Sequence, residues 1–171
     1  MNGSVRVAVQ IATGDDEVPP GAAWQTWVDA ALAAARADRR RFGCVTLRLV
    51  GRRESRHLNE AYRNGAGPTN VLAFAGPGDE SPADDDRELG DIVVCLPVAQ
   101  DEAEAQGKAP VAHLAHLVVH GTLHLVGFDH EHDAEAARME ALETRVMLDL
   151  GFAAPYASED NGRVADTGSG E

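Results

Sequence analysis

The chain has 171 residues, and its 15 Lys and Arg set against 28 Asp and Glu leave a formal net charge of −13. With 44% hydrophobic and 5% aromatic residues it carries enough apolar material for one buried core, which excludes a wholly disordered chain, and the length suits one domain with tails. No run approaches the roughly 18 to 20 uncharged apolar residues of a membrane span, and the opening MNGSVRVAVQIATG lacks the basic flank and apolar run of a secretory signal, so no membrane contact and a cytoplasmic location are expected.

Taken in order, Val5, Val7, Val9 and Ile11 alternate with more polar neighbours, the period-2 pattern of a half-buried strand. Trp24, Trp27, Val28, Ala31, Leu32 and Ala35 then recur on one face of an amphipathic helix, which places both tryptophans in the core. CVTLRLV (Cys44 to Val50) reads as a second strand, Arg52 to Tyr62 as a polar helix, and Asn70 to Phe74 as a third strand. The Gly-, Pro- and Asp-rich stretch from Ala75 to Glu88 is expected to be an exposed acidic loop, and the continuous apolar run IVVCL (Ile92 to Leu96) a strand covered on both faces. Pro97 opens a helix stopped by Gly107, Pro110 opens another running to about Val126, and a last helix spans roughly His132 to Leu150, with Met139, Leu142, Val146 and Leu150 on one stripe. The expected architecture is α+β: residues 1–152 as one domain, a mixed sheet of about four strands packed with about five helices, and residues 153–171 as a flexible tail. Cys44 and Cys95 stand far apart without a CxxC pattern and are read as buried free thiols.

Charge is unevenly spread. Residues 36–63 hold nine Arg and three acids (Asp38, Glu54, Glu60), a local balance of +6, against −19 elsewhere. Such a segment can focus positive potential for a polyanion, or can simply be a solvated face.

Histidine is the informative residue. Six of the seven (113, 116, 120, 124, 130 and 132) fall within twenty positions, with His57 outside them. On a helix His113, His116, His120 and His124 share an arc of about 80°, with apolar residues around much of the remainder. A helix of that kind sits deep, where each imidazole needs a hydrogen-bond partner or a metal. His120 and His124 are spaced i, i+4, so both ring nitrogens can reach one ion, and a left-handed Gly127 can turn the chain so that His130 closes a third corner. Three neutral imidazoles with a fourth position open are the donor set of catalytic zinc sites. His113 reads best as a hydrogen-bonded core residue. His116 stands as a partner of the ligands, a proton shuttle or another buried imidazole, and Asp129 and Asp133 as orienters of His130 or, for Asp133, a helix cap.

HGTLHLVGFDH (His120 to His130) also fits the skeleton of metzincin peptidases, except that glycine stands at 121 where those enzymes place their glutamate base, which makes peptide hydrolysis the weaker reading. The same string resembles the signature of the YbeY endoribonucleases, with LNEAYR (58–63), PTNVLAF (68–74), LGDIVVC (89–95), AHLAHLVVHG (112–121) and MEALE (139–143) following that family's segments in order. Phe128, Ala73, Ala75 and Gly76 depart from the usual pattern around the cleft.

That resemblance implies zinc held by His120, His124 and His130, with His120 and Arg63 as catalytic residues, Arg63 clamping a phosphate through its planar fork. A surface ion pair with Glu60 is the competing reading of Arg63. The implied substrate is single-stranded RNA. The implied role is ribosomal RNA processing, at the 16S 3′ end, and ribosome quality control beside the ribosome or its assembly proteins. A zinc-stabilised RNA-binding or ribosome-assembly factor without catalysis is the alternative. Hydroxide generated at the ion, His116 and the substrate's 2′-hydroxyl stay open as proton acceptor.

Overall fold

The computed structural model describes residues 5–14, 18–37, 43–76, 88–128 and 132–156. Strands β1 (Arg6–Ala12), β2 (Cys44–Val50), β3 (Val71–Ala75) and β4 (Glu88–Cys95) and helices α1 (Gly21–Ala34), α2 (Arg52–Tyr62), α3 (Leu96–Gln106), α4 (Pro110–Leu125) and α5 (Asp133–Asp149) follow in the order β1-α1-β2-α2-β3-β4-α3-α4-α5. They form one four-stranded sheet of order β1-β2-β4-β3. β1, β2 and β4 are parallel, with Leu47 opposite Val9 on one side and Ile92 on the other. β3 runs antiparallel to β4 along the outer edge, with Ala73 opposite Ile92.

Alternation along the strands sorts side chains between two layers. Val45, Leu47 and Leu49 of β2 and Ile92 and Val94 of β4 join the main core beneath α1, α4 and α5, together with both tryptophans. Val50, Leu72, Val93 and Cys95 turn to the opposite face and pack with Leu58 of α2. This two-sided burial is why IVVCL is apolar throughout. Trp24 is fully buried and its indole N–H donates to the Pro19 carbonyl at 2.8 Å.

Two expectations shift. β4 starts at Glu88, four residues before the apolar run, because pairing with β2 continues through a register irregularity beside Cys44. Residues 153–156 are not tail: Pro155 is buried and accepts a hydrogen bond from Lys108 Nζ at 2.7 Å, which fastens the segment after α5 to the start of α4. Residues 77–87 of the expected acidic loop and 157–171 of the expected tail lie outside the described residues. Cys95 is buried and Cys44 only half-buried, and the two are not joined in a disulfide. No described helix is long and apolar enough to cross a membrane.

Candidate active site

α4 is the central helix, touching α1, α3, α5, β3 and β4. Its burial follows from its composition: ten of its sixteen residues are buried, leaving in view the first turn, where Val111 is exposed, and one edge of the histidine stripe. The helix approaches the sheet closely because residue 121 has no side chain. A Cβ built on Gly121 would stand 2.9 Å from Ile92 Cγ2 and 3.5 Å from Val71 Cγ2. The position where a metzincin carries its glutamate therefore points into the sheet. After Leu125 the chain leaves the helix through Gly127 at φ 100°, a conformation that favours glycine and the turn expected there.

Beside α4 lies a cleft of about 640 Å³ whose lining includes His120, His124, Gly127, Phe128, Arg63 and Asn70. The Nε2 atoms of His120 and His124 are 3.1 Å apart. Two nitrogens at about 2.0 to 2.1 Å from one tetrahedral zinc stand about 3.3 Å apart, so this pair fits a shared ion. His130, the expected third ligand, and Asp129 lie outside the described residues, and no three described His, Cys, Asp or Glu side chains gather as a metal group. Asp133 sits in the first turn of α5, where its charge favours the helix N-terminus. His57 is exposed on α2, away from the stripe.

Arg63 reaches the same cleft from the end of α2, although 57 positions separate it from His120 in the chain. Its guanidinium donates to the Ala73 carbonyl on β3 and lies 4.7 Å from the centroid of the Phe74 ring. Glu60 is engaged by Arg56 Nε at 2.9 Å and by the Gly67 amide, which lower its pKa, so the surface pair expected as an alternative for Arg63 is taken by Arg56. Arg63 is the one Lys or Arg among the described residues lining the cleft, and no carboxylate is among them. The rest of the basic segment is less available than its count suggests, because Arg48 is paired with Glu54 and Arg52 with Asp101.

Behind the stripe are groups that the histidine spacing did not indicate. His113 Nε2 is 2.9 Å from Glu102 Oε1, the hydrogen-bonded core position expected of it, although its buried Nδ1 has no partner among the described residues. His116 Nε2 donates to Glu143 Oε2, His120 Nδ1 donates to Glu143 Oε1 at 3.2 Å, and the Tyr156 hydroxyl donates to Oε2 at 3.0 Å. Glu143 is 1% exposed. Burial by itself pushes its carboxyl up, but hydrogen bonds and charge from His116 and His120 outweigh that and hold it at about 2. The signal was present in α5: Glu143 interrupts the buried stripe of Met139, Val146 and Met147, where a lone carboxylate needs an inward-facing partner.

Fold and cleft together define an α+β sandwich in which a buried helix brings paired imidazoles to a groove facing an arginine. The family model described as endoribonuclease YbeY matches residues 10–151, and the chain belongs to that family. It is 42% identical over 154 residues to an endoribonuclease YbeY of Psychromonas ingrahamii, covering 90% of this chain and 96% of that one. It is 47% identical over 146 residues to an endoribonuclease YbeY of Alkalilimnicola ehrlichii, covering 84% and 85%. A solution structure of a Thermotoga maritima protein shares the fold, with a TM-score of 0.52 at 23% identity over 82% of this chain and 86% of that one.

Proposed function

We propose that this chain is a zinc-dependent endoribonuclease for single-stranded RNA, acting in the cytoplasm on ribosomal RNA, at the 16S 3′ end and in ribosome quality control, beside the ribosome or its assembly proteins. The observation that carries the reading is one cleft holding the His120–His124 pair and the Arg63 guanidinium with no described carboxylate on its walls. Such a groove suits a phosphodiester, whose charge a nearby carboxylate would repel. His120, His124 and His130 would hold the ion, which would supply Lewis-acid stabilisation of a phosphoryl oxygen and an activated water. Arg63 would orient the phosphate through two charge-assisted hydrogen bonds, its ring contact with Phe74 and its bond to Ala73 limiting the freedom lost on binding.

Peptide hydrolysis is disfavoured on the same grounds. Residue 121 faces Ile92, and Glu143 lies behind His120, on the Nδ1 side, away from where a substrate water would sit.

The test is cleavage of matched single- and double-stranded RNA by purified protein, with zinc content measured alongside, for wild type and His120→Ala. Metal-dependent cutting of the single strand, lost in His120→Ala, supports the enzyme. RNA binding without cutting by zinc-loaded wild type would instead support the non-catalytic assembly factor.

A further inference from the structure

We infer that Glu143 is a positioning residue that locks His120 in the Nδ1–H tautomer and thereby turns an Nε2 lone pair toward His124 and the cleft. The inference rests on the proposed role of His120 for its functional meaning, though not for its geometry.

An ionised carboxylate has acceptors only. Glu143 meets a donor at each oxygen: His120 Nδ1 at Oε1, and both His116 Nε2 and the Tyr156 hydroxyl at Oε2. Neutral imidazole carries one N–H, so a proton committed to Nδ1 leaves Nε2 of His120 as the acceptor nitrogen. That atom stands 3.1 Å from Nε2 of His124. Glu143 is also anchored by Tyr156, in the segment that Lys108, in the turn before α4, fastens through Pro155. Its carboxylate therefore has little freedom to turn away.

The amide of Glu143→Gln has nearly the same shape but one acceptor and one donor end. With its oxygen toward His120, its NH₂ faces His116 Nε2, and His116 must move its proton to Nδ1. That nitrogen is buried and has no hydrogen-bond partner among the described residues, so the proton there would be an unsatisfied donor. With the amide reversed, its NH₂ faces His120 Nδ1, and His120 must carry its proton on Nε2. The second arrangement satisfies more groups. Glu143→Gln is therefore expected to switch the His120 tautomer and remove the lone pair aimed at the cleft.

The experiment has two arms on the full chain. In the metal-free protein near pH 7.5, long-range ¹H–¹⁵N correlation spectra report the His120 tautomer of wild type and Glu143→Gln. Titration with zinc alone reports affinity, with Glu102→Gln as the control because Glu102 engages His113 in the same stripe but not His120. The expected results are an Nδ1–H His120 in wild type, an Nε2–H His120 in Glu143→Gln, and a zinc affinity about 10- to 100-fold weaker in that variant, with Glu102→Gln within about threefold of wild type. An unchanged His120 tautomer in Glu143→Gln overturns the inference, as does an Nε2–H His120 in wild type. Should Glu143→Gln fail to fold, the wild-type spectrum and Tyr156→Phe, which removes one anchor and is expected to broaden the tautomer signal, decide it. Absence of zinc binding by wild type would count against the proposed enzyme while leaving the tautomer result to stand or fall on its own.

Discussion

The two halves of α4 carry the same residue at the same spacing and do different things with it. In the N-terminal half His113 and His116 are turned toward carboxylates, Glu102 and Glu143, and their Nδ1 atoms are buried without a partner among the described residues. In the C-terminal half His120 and His124 face each other across 3.1 Å at the wall of a cleft. What separates them is what stands opposite each turn: carboxylates of α3 and α5 engage the rings of one half, while the rings of the other line a cleft bordered by β3 and by Arg63 at the end of α2. A histidine pattern thus announces chemistry only where the fold leaves the ring a side to work from. His120 spans the divide, with one nitrogen on each side.

Breaking the open half should have the largest effect. His120→Ala is expected to lose zinc and at least about 10³-fold in RNA cleavage, about 4 kcal/mol of transition-state stabilisation, measured by metal analysis and single-turnover cleavage. In wild type, chelating zinc present at about 100 times its dissociation constant should lower stability by about 2.7 kcal/mol, seen as a fall in Tm that His120→Ala no longer shows.

Arg63→Ala should keep zinc and fold yet lose about 2 to 4 kcal/mol of catalysis, roughly 30- to 1,000-fold, at fixed salt. Arg63→Lys, with the charge but not the fork, should recover part of that loss. Wild-type cleavage by Arg63→Ala would remove the clamp from the mechanism.

Gly121→Ala probes how the two halves are held against the sheet. The new methyl meets Ile92 Cγ2 at 2.9 Å, so a strain of about 1 to 3 kcal/mol is expected, partly offset by the roughly 1 kcal/mol by which alanine favours a helix. The measurement is denaturant unfolding, and an increase in stability would show that α4 can rise from the sheet at no cost.

The smallest effect is expected in the half whose rings are engaged by carboxylates. His113→Leu removes one hydrogen bond to Glu102, a partly exposed carboxylate that water can reach, so the loss should be about 1 kcal/mol with zinc content unchanged. Loss of zinc in that variant would erase the distinction between the halves.

Much of this was legible in the sequence because it is local. Helical spacing picked out α1, α4 and α5, alternation picked out β1, and the i, i+4 pair His120 and His124 followed from the pitch of one helix. The antiparallel edge position of β3, the meeting of Arg63 with the histidines, and the convergence of His116, His120 and Tyr156 on Glu143 are products of tertiary packing. No periodicity encodes them. Glu143 is intermediate: a charge on an apolar stripe was visible as an anomaly, but its partners lie 23 and 27 positions away on another helix. The basic segment shows the opposite failure, since counting arginines could not reveal that Glu54, Asp101 and Glu60 occupy three of them.

The bond from Arg63 to the Ala73 carbonyl has a consequence apart from chemistry. β3 is an outer strand, and an outer strand offers unpaired amides and carbonyls on which a strand of another molecule can build. Arg63 occupies one of those carbonyls with a charged, planar group held over Phe74, at the place where the strand borders the cleft. The charged cap leaves one carbonyl fewer on that edge for a strand of a second copy to pair with.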